Sequence, residues 1–212
     1  MGEGATFVPP DIPYTSQEAI NVSLPPTANA LDYFRLYVTD DILDLIVRQT
    51  NTYADQYIAG NDLKPHSPAQ NWVRTDRDEI LAFIGLFILM GVVYKPRIHV
   101  YWSTDAIYQT DIFSNVMSRD RYMLLLRFLH FENNQSVDVS DPNRDKLWKI
   151  RELTDLVRRQ CKLIYTSARD LCVDESLLLF KRRLGFKQFI KSKRARFGIK
   201  VFELCSKSGM SE

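Results

Sequence analysis

The spacing of apolar residues changes near Thr166, and this change limits the fold more than any other feature of the chain. Before it, apolar residues recur at close to helical spacing, as in Leu147 to Tyr165. After it come three short stretches rich in β-branched, aromatic and leucine residues, separated by glycine or basic connectors: DLCVDESLLLF, GFKQFI and FGIKVFELC. This pattern is typical of successive strands. The sequence therefore predicts an α+β chain, helical over residues 31–168 and with three neighbouring strands in residues 169–212.

Helix-capping and helix-breaking residues divide the helical part of the chain. Four positions predict helix starts, because they place small polar or acidic residues ahead of apolar periodic stretches: Thr39 with Asp40, Thr75, Ser103–Asp105 and Ser118. Two positions predict helix ends: Gly60 and Pro96. Residues 1–30 contain five prolines and no helical or strand period, so we expect a disordered leader.

The longest apolar run, Ile80 to Tyr94, contains two glycines. It is shorter than the roughly 18–20 residues needed to cross a bilayer, so we expect a buried helix and no membrane partner. The three cysteines, Cys161, Cys172 and Cys205, are widely spaced and odd in number. They predict reduced intracellular thiols, and their spacing from the histidines matches no zinc site.

Positive charge is concentrated near the end of the chain, although the net charge is only +2. Between residues 181 and 207 there are ten Lys or Arg and a single acid, Glu203. We expect a DNA-binding surface formed by Lys181, Arg183, Lys187, Lys191, Lys193, Arg194 and Arg196. Five phosphate contacts would give a log–log salt slope of about −4 to −5. The other interpretations are a solubility face or protection of a sheet edge, and KSKRARF also fits a nuclear-import signal.

Several long motifs in the chain resemble piggyBac-type transposases and the proteins derived from them. They are EILAFIGLFILMGVVYKPRIHVYWSTD, FSNVMSRDRYMLLLRFLHF, NRDKLWKIRELTDLV, LCVDESLLLFKRR and KQFIKSKRARFGIKVFELC. The resemblance covers about residues 31–207. It implies a helical dimerisation and DNA-binding region followed by the first three strands of an RNase H-like catalytic domain. It also implies a homodimer. The basic stretch KSKRARF predicts a nuclear location, and the alternative is another intracellular one.

The resemblance assigns Asp174, in VDES, as the first of three metal-binding aspartates, with Mg²⁺ expected in a complete family member. The chemistry fits, because strand transfer by two divalent ions needs hard oxygen ligands held rigidly. Without the resemblance, an Asp-Glu pair within an apolar run is more often a turn or an exposed edge.

The chain departs from the family pattern in its carboxylates. No aspartate follows Asp174, and the only acids after Glu175 are Glu203 and Glu212. We therefore expect an incomplete, weak metal site, no cofactor for this chain alone and no transposition by it. Arg182 also replaces a glycine of the family pattern, which would strain the backbone if the turn required positive φ.

The expected function is that of a transposase-derived, DNA-binding remnant of a cut-and-paste DNA transposase. Two alternatives remain at this point. The helical region could serve as a scaffold for protein partners, or further sequence beyond residue 212 could complete an active enzyme.

Overall fold

The computed structural model describes residues 13–138, 140–191 and 196–206. The chain divides into two compact units. One is Asn29–Arg159, and the other consists of the described parts of Met1–Ala28 and Gln160–Glu212. The first is helical and the second contains both sheets. The prediction of an α+β chain is confirmed at this level.

The helices are α1 Ala30–Tyr37, α2 Asp40–Ala59, α3 Arg77–Val92, α4 Asp111–Val116, α5 Arg119–Phe128 and α6 Arg151–Ile164. Short 3₁₀ turns occupy Pro68–Asn71, Ile98–Trp102 and Trp148–Ile150. The strands are β1 Ala19–Ile20, β2 Tyr165–Thr166, β3 Leu171–Leu179, β4 Gln188–Phe189 and β5 Phe197–Ser206.

Three of the four predicted helix starts are close to the observed ones. Thr39 is the N-cap of α2, but its hydroxyl makes no capping bond. Ser118 caps α5 by accepting from the Arg121 amide at 3.3 Å. At α3 the cap is Asp76 rather than Thr75, because the Asp76 carboxylate accepts from the Glu79 amide. The fourth prediction, at Ser103–Asp105, is wrong: this segment forms a turn, and the following helix begins at Asp111.

The core of the helical unit is formed mainly by apolar side chains of α2, α3, α4 and α5. Its fully buried members include Leu43, Ile80, Phe113, Tyr122 and Leu125. In α2 and α5 the apolar positions repeat at helical spacing, so each of these helices turns one continuous stripe towards its neighbours. Burial of these large side chains is the main source of stability for this unit.

Polar contacts fix how α2, α3 and α5 meet. Asn51 of α2 donates to the Thr75 carbonyl and accepts from the Thr75 amide, both at 2.9 Å. Arg121 of α5 binds Glu79 of α3 through two hydrogen bonds of 2.6 and 2.5 Å, and its guanidinium lies 4.6 Å from the centre of the Trp72 ring. Burial acts to raise the pKa of Glu79, but the bonds from Arg121 and Thr75 outweigh it and the pKa is lowered.

The prediction that Ile80–Tyr94 is a buried helix is only half correct, because one side of the segment is exposed to solvent. Ile80, Phe83 and Leu86 are buried, whereas Phe87 is 61% exposed, Val92 80% and Tyr94 87%. The segment is apolar around its whole circumference, so covering one side by the core leaves apolar groups on the other. Among the described residues, no helix has the length and apolarity required to cross a membrane.

The second unit contains two antiparallel sheets. β1 pairs with β2, which places a short strand in the stretch that the sequence suggested as a leader. The other sheet has the order β3–β5–β4, so the long ladder joins β3 to β5 and the two-residue β4 extends the outer edge of β5. All three predicted strands are confirmed. Arg182, between β3 and β4, does not adopt a positive φ, so the expected strain is absent there.

Gly198 fixes the closest approach of β5 to β3. A Cβ atom at this position would lie 2.3 Å from the Leu178 carbonyl oxygen and 2.9 Å from Leu177 Cγ. The first contact is with backbone, which cannot move aside as a flexible side chain does. A residue with a side chain at position 198 would therefore push the two strands apart.

His130 lies after α5 and joins it to α2. Its ring stacks on Tyr53 with the ring centres 3.5 Å apart. Nδ1 is 3.2 Å from the Phe128 carbonyl and Nε2 is 3.2 Å from the Asn134 amide nitrogen. This arrangement fits a neutral ring that donates from Nδ1 and accepts at Nε2. Burial lowers the pKa of His130, against the opposing effect of the Phe128 carbonyl.

We expect Gly198→Ala to lower the free energy of unfolding of the sheet unit by about 1–3 kcal/mol, because overpacking at a backbone contact separates β3 from β5. Gly185→Ala is the matched control, since nothing lies within 4 Å of a Cβ atom at that position. Thermal unfolding followed by circular dichroism provides the measurement. Equal melting temperatures for the two variants would contradict the role given to Gly198.

We expect the helical unit to lose stability as the pH falls below about 6.5, the usual pKa of histidine. With a lowered pKa in the folded state, His130 binds its proton more readily when unfolded, so its contribution is complete above pH 6.5 and declines below it. One proton limits the slope to about 1.4 kcal/mol per pH unit. Urea unfolding between pH 7.5 and 5.5 measures it. His130→Gln should flatten the slope, and an unchanged slope in that variant would contradict the role given to His130.

Candidate carboxylate pair and nucleic-acid interface

The β3–β5 ladder places two carboxylates directly opposite each other. Asp174 of β3 pairs with Glu203 of β5, so both side chains lie on the same face of the sheet. Ser176, two residues further along β3, donates from its hydroxyl to Glu203 Oε1 at 2.5 Å. Asp174 Oδ1 accepts from the Glu175 amide at 2.7 Å. Like charges opposite each other are unfavourable, and the Ser176 donor and the exposure of Asp174 reduce that repulsion.

Glu175 belongs to the other face. Its carboxylate forms a salt bridge of 2.7 Å with Lys200 Nζ, which is also 4.6 Å from the centre of the Phe202 ring. Side chains alternate along a strand, so adjacent acids in VDES cannot act together on one face. Glu175 therefore has a local structural contact, and Asp174 is the acid that shares a face with Glu203.

The donors available for a metal ion fit the expected Mg²⁺ only in part. Carboxylate oxygens such as those of Asp174 and Glu203 are the ligands that Mg²⁺ prefers, and one or two of them can suffice when phosphate supplies the rest. Across the described ranges, however, no group of three or more His, Cys, Asp or Glu could hold a metal ion. The residues present thus fit at most one weakly held ion and do not fit a two-ion centre.

Two cysteines lie on the same face as the carboxylates. Cys172 is directly opposite Cys205, one alternate position along from the Asp174–Glu203 pair. Burial raises the pKa of the Cys205 thiol, and the neighbouring Cys172, Asp174 and Glu203 raise it further. Both cysteines are free thiols.

The predicted DNA-binding residues lie between β3 and β5, and the structure assigns them different roles. Lys181, Arg183, Lys191 and Arg196 are exposed. In the described segments they take part in no salt bridge, which leaves their charges available to a ligand. Lys193 and Arg194 lie outside the described residues.

Lys187 is already engaged within this segment. Its ammonium group donates to the carbonyls of Lys181 and Arg182 at 3.4 and 3.1 Å and lies 5.4 Å from the centre of the Phe197 ring. The rings of Phe189 and Phe197 are 4.8 Å apart and hold β4 against β5. Lys187 therefore stabilises the conformation of the segment between β3 and β5. Its charge is less available to phosphate than the charges of its neighbours.

Sequence reasoning missed Glu203 as a partner of Asp174 and Lys200 as a partner of Glu175. Both residues were visible as charges, but their positions relative to β3 depend on the register of the ladder. The only sequence signal of that register was Gly198. A glycine in a strand indicates that another backbone segment approaches closely, but it does not indicate which residue that is.

The family model described as Transposase IS4 matches residues 29–210, and the chain belongs to this family. The prediction of a resemblance to piggyBac-type transposases is confirmed by the relatives described next.

The chain is similar to piggyBac transposable element-derived protein 3 of Homo sapiens, with 28% identity over 81% of this chain and 26% of that protein. It is also similar to piggyBac transposable element-derived protein 5 of Homo sapiens, with 25% identity over 88% of this chain and 34% of that protein. The cryo-EM structure of a piggyBac transposase synaptic complex with hairpin DNA matches with a TM-score of 0.71 and 27% identity, over 93% of this chain and 41% of that one. The chain thus spans less than half the length of each of these proteins.

Proposed function

We propose that this transposase-derived chain binds DNA through the phosphate backbone and does not catalyse strand transfer by itself. The observation that carries the proposal is the set of exposed cations between β3 and β5, which the described acids leave unpaired: Lys181, Arg183, Lys191 and Arg196. Cations that are not neutralised within the protein can release counterions from DNA, which is the main source of sequence-independent affinity.

Two further observations support DNA as the ligand. Two nearby cations, Lys187 and Lys200, are already held by backbone carbonyls and by Glu175, whereas the four cations named above lie on the connecting segments without such contacts. The solved relative with 27% identity is described as a synaptic complex with hairpin DNA, which is a property of that protein and supports the same ligand class here. A solubility face would explain the charges without any ligand, and the experiment below separates the two.

The ligand set of this chain supports the noncatalytic part of the proposal. We assign the β3–β5–β4 sheet to the beginning of an RNase H-like domain and Asp174 to its first carboxylate position. The support for this is an antiparallel ladder whose first strand carries that acid. Glu203 gives Asp174 one acidic neighbour, and no aspartate follows Asp174 in this sequence. Two-ion catalysis needs ligands that clamp both the attacking and the leaving oxygen. A longer polypeptide that supplied further carboxylates would be an active enzyme.

A nuclear location belongs to the same proposal, because the DNA ligand lies there. The basic stretch KSKRARF is the sequence support for it, although its central residues lie outside the described ones.

We expect this chain to bind a duplex oligonucleotide with an affinity that falls steeply with salt. Replacing Lys181, Arg183, Lys191 and Arg196 together by glutamine should reduce the log–log salt slope by about 0.9 per lost phosphate contact, or about 3.6 in all. Fluorescence anisotropy across a salt series measures both quantities. The matched control replaces four exposed lysines of other elements: Lys64, Lys146, Lys149 and Lys162.

The control should keep the slope of the unmodified chain while carrying the same change in net charge. Equal slopes for the two quadruple variants would reject the interface. The same preparations with Mg²⁺ should leave a supercoiled plasmid intact. Metal-dependent nicking that disappears in Asp174→Asn would reject the noncatalytic part of the proposal and leave the binding part in place.

A homodimer is a second proposal, and the outward side of α3 favours it. Phe87, Ile88 and Val92 form part of an exposed apolar surface there, with exposures of 61, 54 and 80%. Exposed apolar surfaces of this kind commonly mark protein interfaces. We assign this side of α3 to contact with a second copy of the chain, which gives the helical unit the role of an interaction scaffold.

We expect sedimentation velocity to detect a dimer that Ile88→Glu weakens at least tenfold, because burying an unpaired charge in an apolar interface is strongly unfavourable. Ile107→Glu is the matched control, because Ile107 is also exposed but lies outside α3, and the substitution adds the same charge. This variant should dimerise normally. A monomer at all concentrations, or equal effects of the two substitutions, would reject this surface.

A further inference from the structure

The register of the β3–β5 ladder brings two thiols together. Cys172 and Cys205 are directly opposite each other, and residues opposite each other in an antiparallel pair project to the same face. Both are free thiols; Cys172 is exposed and Cys205 is partly buried. They are 33 positions apart in the sequence, so nothing in their spacing indicated that they would meet.

Directly opposite positions in a sheet have a Cα–Cα distance that suits a disulfide but a Cβ–Cβ distance that is slightly too long for one. Their Cα atoms are typically about 4.5–5.5 Å apart, within the roughly 4.4–6.8 Å that a disulfide spans. Their Cβ atoms are normally about 4.5–5.5 Å apart, somewhat further than the roughly 3.5–4.5 Å of a disulfide. A bond can therefore form with a small local adjustment of the strands, and it retains some strain.

We propose that Cys172 and Cys205 form a redox modification site, at which a low-molecular-weight disulfide converts the two thiols into a reversible cross-strand disulfide. This inference does not rest on DNA binding or on catalysis, since it depends only on the ladder. It extends the expectation of reduced thiols: the pair is reduced in a reducing compartment and is oxidised when the surroundings become oxidising.

The chemistry balances with the low-molecular-weight disulfide as the oxidant. The exposed Cys172 thiolate attacks one sulfur of the disulfide, forms a mixed disulfide and releases one small thiolate. Cys205 loses its proton and attacks the Cys172 sulfur, which forms the cross-strand bond and releases the second small thiolate. Two protein thiols are oxidised, one small disulfide is reduced, and two protons pass to solvent or to the released thiolates.

Strain and exposure make the bond reversible. Strained or exposed disulfides have higher reduction potentials and are the labile ones, whereas buried unstrained ones resist reduction. Reduced small thiols should therefore open the bond readily through the exposed Cys172 sulfur.

Oxidation would affect the two features described above. The bond would close the loop between residues 172 and 205, which contains β4 and the basic segment. It would also fix β3 to β5 one alternate position away from Asp174 and Glu203. Closing a loop of this length lowers the entropy of the unfolded chain, so the oxidised sheet unit should melt at a higher temperature.

The test incubates the full chain with 2-hydroxyethyl disulfide, which is uncharged and so is not repelled by the adjacent carboxylates. Remaining thiols are then alkylated, and peptides are mapped by mass spectrometry without reduction. We expect a Cys172–Cys205 peptide, alkylation retained at Cys161 alone, and full return of three alkylated cysteines after 2-mercaptoethanol. The melting temperature should rise by at least about 5 °C on oxidation.

Cys172→Ser and Cys205→Ser are the matched variants, and each should stop at a mixed disulfide or remain reduced, without a rise in melting temperature. Three results would overturn the proposal in the unmodified chain: mixed disulfides at both cysteines, linkage of either one to Cys161, or bonds only between chains. An unchanged or lowered melting temperature of the oxidised chain would also overturn it, because the bond would then form only in separated strands.

Discussion

The register of the β3–β5 ladder is the constraint on which the candidate site depends. Gly198 lies against the Leu178 carbonyl at a distance that admits no side chain, and this contact fits one alignment of the two strands. A shift by one residue would exchange the faces of every side chain in one strand. Asp174 would then lose Glu203, Glu175 would lose Lys200, and Cys172 would lose Cys205. The backbone contact at Gly198 thus supports three pairs of side chains: Asp174 with Glu203, Glu175 with Lys200, and Cys172 with Cys205.

The helical unit is held by a different kind of constraint. Apolar burial supplies most of its stability, but apolar contacts alone permit helices to slide. Asn51 and the Glu79–Arg121 pair define one arrangement. Asn51 of α2 makes two directional bonds to the backbone just before α3, and the Glu79–Arg121 pair makes two between α3 and α5. Arg121 is largely shielded, with 17% of its side chain exposed, so loss of Glu79 would leave a poorly solvated charge.

Sequence reasoning succeeded where structure is local. Helices α2, α3 and α5 and the three strands of the larger sheet follow from periodicity, with Gly60 ending α2 and Ser118 preceding α5. It failed where the outcome depends on distant partners: the pairing of β3 with β5, the pairing of β1 with β2, and the exposed side of α3. The apolar run Ile80–Tyr94 shows why, since composition predicts burial but does not reveal how much of a helix its neighbours cover. The resemblance to known transposases singled out Asp174 as a candidate ligand, whereas the position of Glu203 opposite it could be seen only from the register of the ladder.

The charges around the sheet explain why acids and bases lie so close together in this part of the chain. Alternation along β3 sends Asp174 and Glu175 to opposite faces, and Lys200 neutralises only Glu175. Lys187 is fastened to backbone carbonyls, so its charge supports the connecting segment rather than a ligand. Positive charge therefore remains free on Lys181, Arg183, Lys191 and Arg196, and negative charge remains exposed on the Asp174 face. Phosphate would be attracted to the first group and repelled by the second unless a cation intervened. Under the proposed function, the connecting segments would hold DNA without metal, whereas the carboxylate face would approach a phosphate only through a shared cation.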